Sequence, residues 1–177
     1  MNKLINAYDP TLALENAVTP PSAWYSDEAF AKLENDAVFG QNWLVAGRVD
    51  QLQREGDYLA TEVGGEPIVI ERSGHLRAFY NVCRHHAAEI MPAGTGCAKV
   101  MQCPYHGWTY SLEGRLCGTP QFCGAEGFSK AENGLVPVRV ATWERWIFVC
   151  LDSEAPPLPD VLGKLQNELQ SLGMRSE

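Results

Sequence analysis

Two pairs of metal-binding side chains, each held within three or four residues, constrain this chain more than any other feature. Cys83-Arg84-His85 sets a thiol and an imidazole two positions apart, and Cys103-Pro104-Tyr105-His106 sets a second pair three apart. Residues 86 to 102 lie between them, 17 in all, enough for a hairpin that returns the chain and brings the loop tips together. Two sulfurs and two nitrogens from facing loops suit a single zinc ion. They also suit a binuclear iron–sulfur cluster with thiolates on one iron and imidazoles on the other.

The surrounding pattern supplies strands to carry such loops. Residues 43–49 (WLVAGRV) form a short apolar run, and 58–63 and 67–72 flank Gly64-Gly65, a strong hairpin signal. Residues 75–82 lead into the first pair, Ala93-Gly94-Thr95-Gly96 reads as a flexible loop tip, and 99–102 lead into the second. Residues 108–112 leave the second pair, and 136–142 with 146–151 make a final strand pair. Short strands at close spacing predict a mainly β chain, an antiparallel sandwich or small barrel. The stretch 116–135 lacks periodicity and is expected to be a surface excursion.

Helices are expected only at the ends. Residues 1–25 read as an arm with one helical turn near 12–17. Ser26 then reads as the N-cap of a helix that runs to about Phe39, with Asp27 and Glu28 in its first turn and Gly40 as its stop. Asp152–Asp160 (DSEAPPLPD) reads as a proline-rich linker. Beyond it, Val161, Leu162, Leu165, Leu169 and Leu172 share one face of an amphipathic helix. The predicted organisation is an arm and helix over 1–41, the pair-bearing domain over 42–152, and a linker with the start of a further domain over 153–177.

Composition excludes some classes. A net charge of −8 without clustered Lys or Arg argues against a nucleic-acid partner. No apolar run approaches the roughly 18 residues needed to cross a bilayer. The first residues lack the apolar core of a signal peptide, so the expected compartment is the cytoplasm. There, Cys97, Cys117, Cys123 and Cys150 are expected to be buried free thiols, with a Cys117–Cys123 bridge as the exception to check.

Three features favour iron–sulfur over zinc. Each loop gives one Cys and one His, unlike zinc modules that pair like with like. Pro104 presets a tight turn, and Gly107 frees the backbone after His106, so that main-chain N–H groups can approach the sulfurs. Two ferric ions, two sulfides and two thiolates sum to zero charge, which eases reduction and raises the potential to roughly −150 to +300 mV.

CRH at 83–85 and CPYHGW at 103–108 resemble the two halves of the Rieske 2Fe–2S motif. The wider run through CPYHGWTYSLEGRL, ENGLVPVRV and IFVCLD resembles the Rieske domain of non-haem iron oxygenase α subunits. That group includes ring-hydroxylating dioxygenases and choline or carnitine monooxygenase-like enzymes. The resemblance implies a β-sandwich with a cluster-binding subdomain of two hairpin loops. It places Cys83 and Cys103 on one iron and His85 and His106 on the other, the remaining ring N–H of each histidine facing the surface. Respiratory Rieske proteins carry an extra Cys in each loop; Ala88 and Tyr105 stand there in this chain, which points to the oxygenase or ferredoxin branch.

Neighbouring residues have lesser expected roles. Arg84 is either a rim for a redox partner or a salt-bridge donor. Tyr105 and Trp108 cover the cluster or, for Trp108, simply pack. His86 is expected to point away from His85 and not to ligate.

By the same resemblance, oxygen is activated at a mononuclear iron held by two histidines and a carboxylate. Once the cluster takes two of the four histidines, only His75 and His86 remain, so that iron is expected outside this chain. The chain then reads as the N-terminal electron-relay part of a larger, trimeric α subunit that does not turn over alone. Its partners would be a reductase or ferredoxin donor and a catalytic domain of the same or a neighbouring subunit. The GLVPVRV and LEGRL stretches tilt the resemblance towards quaternary-ammonium monooxygenases. A free-standing Rieske ferredoxin and a structural zinc module are the rival readings.

Overall fold

The computed structural model describes residues 2–122 and 126–172. Ten strands form two antiparallel sheets. In chain order they are β1 (Leu44–Arg48), β2 (Asp57–Val63), β3 (Glu66–Ser73), β4 (His75–Tyr80), β5 (Gly94–Cys97), β6 (Met101–Gln102), β7 (Thr109–Tyr110), β8 (Leu116–Gly118), β9 (Pro137–Trp143) and β10 (Trp146–Cys150). Seven run in the order β1-β10-β9-β4-β3-β2-β5, and the small sheet is β6-β7-β8. The expected mainly β, antiparallel architecture holds.

The large sheet bends at β9. Its first residues, Pro137 and Val138, pair with Phe79 and Ala78 of β4, while Arg139–Trp143 pair with β10. Proline lacks an N–H to donate, and here it opens the strand, where that loss is tolerated. The bend folds the sheet's halves together. Leu59, Val63, Ile68, Ile70 and Ala78 from one half pack with Val138, Ile147 and Val149 from the other.

Alternation along each strand sends the intervening residues to the opposite face. Tyr58, Ala60, Val69 and Phe79 form a second core with Met101, Trp108, Tyr110, Leu116 and Leu135. Because β3 is covered on both faces, its centre Ile68-Val69-Ile70 is apolar without alternation and fully buried. This second core is the floor of the metal-binding loops.

Several segments differ from their sequence pattern. Gly94–Cys97, expected as a loop tip, is an edge strand paired with Ala60–Asp57. Its Gly96 lies where any Cβ would overlap the Tyr58 ring, so lack of a side chain there makes room for packing. Within 116–135, Leu116 and Leu135 are buried and Phe122 and Phe128 pack against Trp108, so the stretch is largely a wall of the second core.

The first long helix, Glu28–Ala37, is α2, after the short α1 (Asn2–Ile5). Its N-cap is Asp27, whose carboxylate accepts the Phe30 N–H at 3.0 Å, not Ser26, whose hydroxyl closes the preceding turn on Ser22 O. The helix stops at Ala37, and Phe39–Gln41 continues as a 3-10 turn.

The segment 152–160 is pinned and does not swing free. Arg139 donates to the Asp152 and Ala155 carbonyls and stacks over Trp43, whose indole N–H donates to Pro156 O at 2.8 Å. The expected single C-terminal helix breaks into α3 (Leu158–Leu162) and α4 (Leu165–Ser171) at Gly163, whose positive φ of 50° a helix cannot contain. Leu158 is buried, while Val161, Leu165 and Leu172 of the expected stripe are exposed.

Candidate metal centre

Two loops built on one backbone plan carry the Cys and His pairs. In the first, Cys83 N donates to Ala88 O at 2.9 Å, and Ala87 N donates to Cys83 O at 3.0 Å. In the second, Cys103 N donates to Trp108 O at 2.8 Å, and Gly107 N donates to Cys103 O at 3.0 Å. The turn back occurs at the same place in both, with φ of 58° at Ala87 and 71° at Gly107. The first loop is anchored by Asn81, a buried amide that donates to Met91 O and accepts from Ile90 N and Met91 N. The second is anchored by pairing of Met101 with Tyr110 and Gln102 with Thr109.

This plan sinks the cysteines and raises the histidines. Cys83 and Cys103 are buried free thiols, 3% and 2% exposed. His85 is half-buried and His106 exposed, with ring centroids 4.8 Å apart. The His85 ring lies flat on Trp108, centroids 4.6 Å apart and planes within 5°. Burial, reinforced by His86 and His106, pushes its pKa down and favours the neutral imidazole that binds metals. Its Nδ1 is buried without a hydrogen-bond partner. Phe122 and Phe128 complete an aromatic wall around Trp108 and exclude water from one side.

Tyr110 marks a difference between the loops. Its hydroxyl lies 3.3 Å from Cys83 Sγ and accepts the Arg84 N–H at 3.0 Å. The amide occupies an oxygen lone pair, leaving the hydroxyl hydrogen free to point at the sulfur. Burial, then the contact with Cys83, pushes the Tyr110 pKa up, so the group stays a donor.

The structure corrects one expectation at the site. His86 does not turn away: its ring centroid lies 3.9 Å from that of His85 and 5.3 Å from that of His106. Neighbouring side chains diverge along an extended strand, but residues 84–86 form a turn, which lets both rings lie on one side. Among the other candidates, Arg84 is exposed without an ion pair among the described residues. Tyr105 is exposed and stacks on His106 at 3.8 Å. Trp108 is buried, and its indole N–H finds no partner.

Of the remaining thiols among the described residues, only Cys150 is buried. Cys97 on edge strand β5 and Cys117 on the short β8 are exposed, because neither strand is covered on that side. Cys123, and with it any bridge to Cys117, lies outside the described residues.

The sequence of the Rieske [2Fe-2S] domain family matches residues 42–154. The chain belongs to this family. It is 40% identical to choline monooxygenase of Arabidopsis thaliana over 84% of its own length and 36% of that protein's. It is 38% identical to the biphenyl dioxygenase α subunit of Paraburkholderia xenovorans, over 78% of the chain and 32% of the relative. Its fold superposes on the apo quaternary ammonium Rieske monooxygenase CntA with a TM-score of 0.81 and 34% identity, over 88% of this chain and 46% of that one. Naphthalene 1,2-dioxygenase from Rhodococcus sp. aligns with a TM-score of 0.78 at 30% identity, over 87% and 36%. The chain thus spans about a third of the length of the curated relatives it matches. The choline monooxygenases among them are named as chloroplastic. Among the described residues, no helix is long and apolar enough to cross a membrane.

A Rieske domain implies a [2Fe–2S] cluster, and the donor set here suits one. Two loops of one backbone plan each supply a buried free thiol and an imidazole, and the orphaned Nδ1 of His85 is a buried polar atom of the kind a metal satisfies. Sequence reasoning passed over Asn81, Tyr110, Phe122 and Phe128. Tyr110 alone left a signal, as a polar aromatic two residues beyond Trp108 in a run otherwise read as strand.

Proposed function

We propose that this Rieske domain relays single electrons as the electron-entry part of a Rieske non-haem iron oxygenase. Cys83 and Cys103 would hold one iron of the cluster, and His85 and His106 the other. Bound there, the cluster supplies a one-electron carrier in the range of roughly −150 to +300 mV. The observation that carries this reading is the paired loop plan, which buries both sulfurs and presents both imidazoles.

The chain's own residues divide the remaining work. Trp108, Phe122 and Phe128 keep water from one side of the site, and the Trp108 face orients the His85 ring. Tyr110 donates to Cys83 and favours charge on that sulfur. His106, with Tyr105 stacked on it, offers the exposed edge by which a partner can approach. Arg84 sits on the same rim as an exposed cation suited to an acidic donor surface.

The proposed partners are a reductase or ferredoxin donor and a catalytic domain, of the same or a neighbouring subunit in a homotrimer, that holds a mononuclear iron. Residues 1–41, 42–152 and 153–177 would serve as arm and helix, Rieske domain, and lead-in to that catalytic domain. The exposed Val161, Leu165 and Leu172 support this last assignment as surface for a neighbour to cover. Choline and quaternary ammonium monooxygenases among the relatives support a quaternary ammonium substrate for the whole enzyme. The proposed compartment is the cytoplasm.

Reduction with dithionite under EPR, with a potentiometric titration, tests the proposal. The expected result is a red-brown chain with a rhombic signal and a midpoint well above the roughly −400 mV of four-Cys plant-type clusters. A colourless, zinc-loaded chain, or a midpoint near that lower value, overturns it.

A further inference from the structure

The two loops hold a third imidazole that the cluster leaves unused. One ring nitrogen from each of His85, His86 and His106 lies within 4.8 Å of the other two. The loop plan makes this more than crowding. Residues 86 and 106 each precede the turn residue whose N–H returns to the loop's cysteine, so His86 is the positional counterpart of His106. His85 sits between them, its centroid 3.9 Å from one ring and 4.8 Å from the other. A second observation points to a ligand: Nδ1 of His85 is buried without a partner.

Imidazole nitrogens suit zinc, copper and nickel, and three histidines with one open position form a common zinc site. Zinc–nitrogen bonds of about 2.0–2.1 Å require the rings to draw closer than they stand. Exposed His86 and His106 can supply that movement by side-chain rotation, since neither has a hydrogen bond to lose among the described residues.

We propose that the cluster-free chain captures one zinc ion at His85, His86 and His106. Zinc and cluster loading then exclude each other, because both claim His85 and His106. Zinc capture stands without the proposed function; only the exclusion rests on it.

The test uses the full chain prepared without its cluster from iron-depleted cells, titrated with zinc against a chromophoric chelator. One zinc per chain is expected at micromolar dissociation constant or tighter. His86→Asn, an exposed conservative change, should weaken it at least about tenfold. The double variant Cys83→Ser/Cys103→Ser should still bind one zinc. Binding no tighter than millimolar, binding indifferent to His86→Asn, or binding that follows the cysteines instead overturns the site.

Iron and sulfide reconstitution supplies the second readout. Zinc preloading should slow the return of the visible spectrum at least about tenfold in the parent chain and leave the His86→Asn rate unaltered; equal slowing in both overturns the exclusion. Zinc binding that depends on His86 in a chain that never gains the visible spectrum leaves the site standing and overturns the proposed function alone.

Discussion

The loops at 83–88 and 103–108 share a backbone and differ in nearly everything attached to it. Both close on the same two main-chain hydrogen bonds, and both sink their cysteine below 4% exposure. Their last positions are Ala88, half-buried, and Trp108, buried under the aromatic wall. Their turn positions are Ala87 and Gly107, and among the described residues only the first loop's sulfur meets a hydroxyl. Placing a thiolate is thus a backbone task that many sequences can perform. Setting the surroundings of each metal is a side-chain task, and it makes the halves of the site unequal.

The largest expected effect ignores this inequality. Cys83→Ser and Cys103→Ser should each abolish the visible spectrum, because a serine oxygen is a poor substitute for thiolate at iron. Equal loss in both would support equivalent roles for the sulfurs. A coloured, reducible Cys83→Ser chain would break the equivalence and the proposed ligand set with it.

Trp108→Ala gives the second loop the small residue of the first. It removes a buried indole that packs on His85, Phe122 and Phe128, and should cost about 3–5 kcal/mol in denaturant unfolding. A loss below about 1 kcal/mol would mean the aromatic wall collapses onto the gap, and the loops' last positions would be interchangeable.

Tyr110→Phe removes the contact that only the first loop has. It leaves the Arg84 N–H without its acceptor, at about 1–3 kcal/mol. It also withdraws a hydrogen bond that favours added negative charge on Cys83, so the midpoint should fall by some tens of millivolts, where 59 mV is tenfold for one electron. A stability loss with an unchanged midpoint would show that the hydroxyl serves the amide and not the sulfur.

How much of this was legible in the sequence follows the same division. The Cys and His pairs stood out because metal chemistry demands those residue types at compact spacing. The β2–β3 hairpin was legible because its turn residues are local. The role of Tyr110 was not, since it needs a register that brings the hydroxyl beside Arg84, 26 residues away. Strand β5 was hidden because Gly94 and Gly96 disfavour a strand and the segment is held by pairing with β2. His86 escaped the sequence pattern because residues 84–86 turn, and neighbours in a turn do not diverge as they do along a strand.

The backbone angle at the turn position gives the smallest and cleanest comparison. Ala87 holds φ at 58°, where a Cβ costs about 1–2 kcal/mol, while Gly107 holds 71° without that cost. Ala87→Gly removes the strain but frees the unfolded chain, which takes back about 0.4–1 kcal/mol. The net should be a gain of about 0.5–1 kcal/mol. Gly107→Ala runs the other way. A Cβ there would meet Gln102 Nε2 and Pro120 Cγ at 3.6 Å, ordinary contact, so its loss reports backbone strain and not a clash. Opposite shifts of similar size in the two variants would show that the loops share one energetic plan as well as one shape. If Ala87→Gly instead destabilises, the freedom it gives the unfolded chain outweighs the strain at Ala87, and the inequality of the loops begins in the backbone itself.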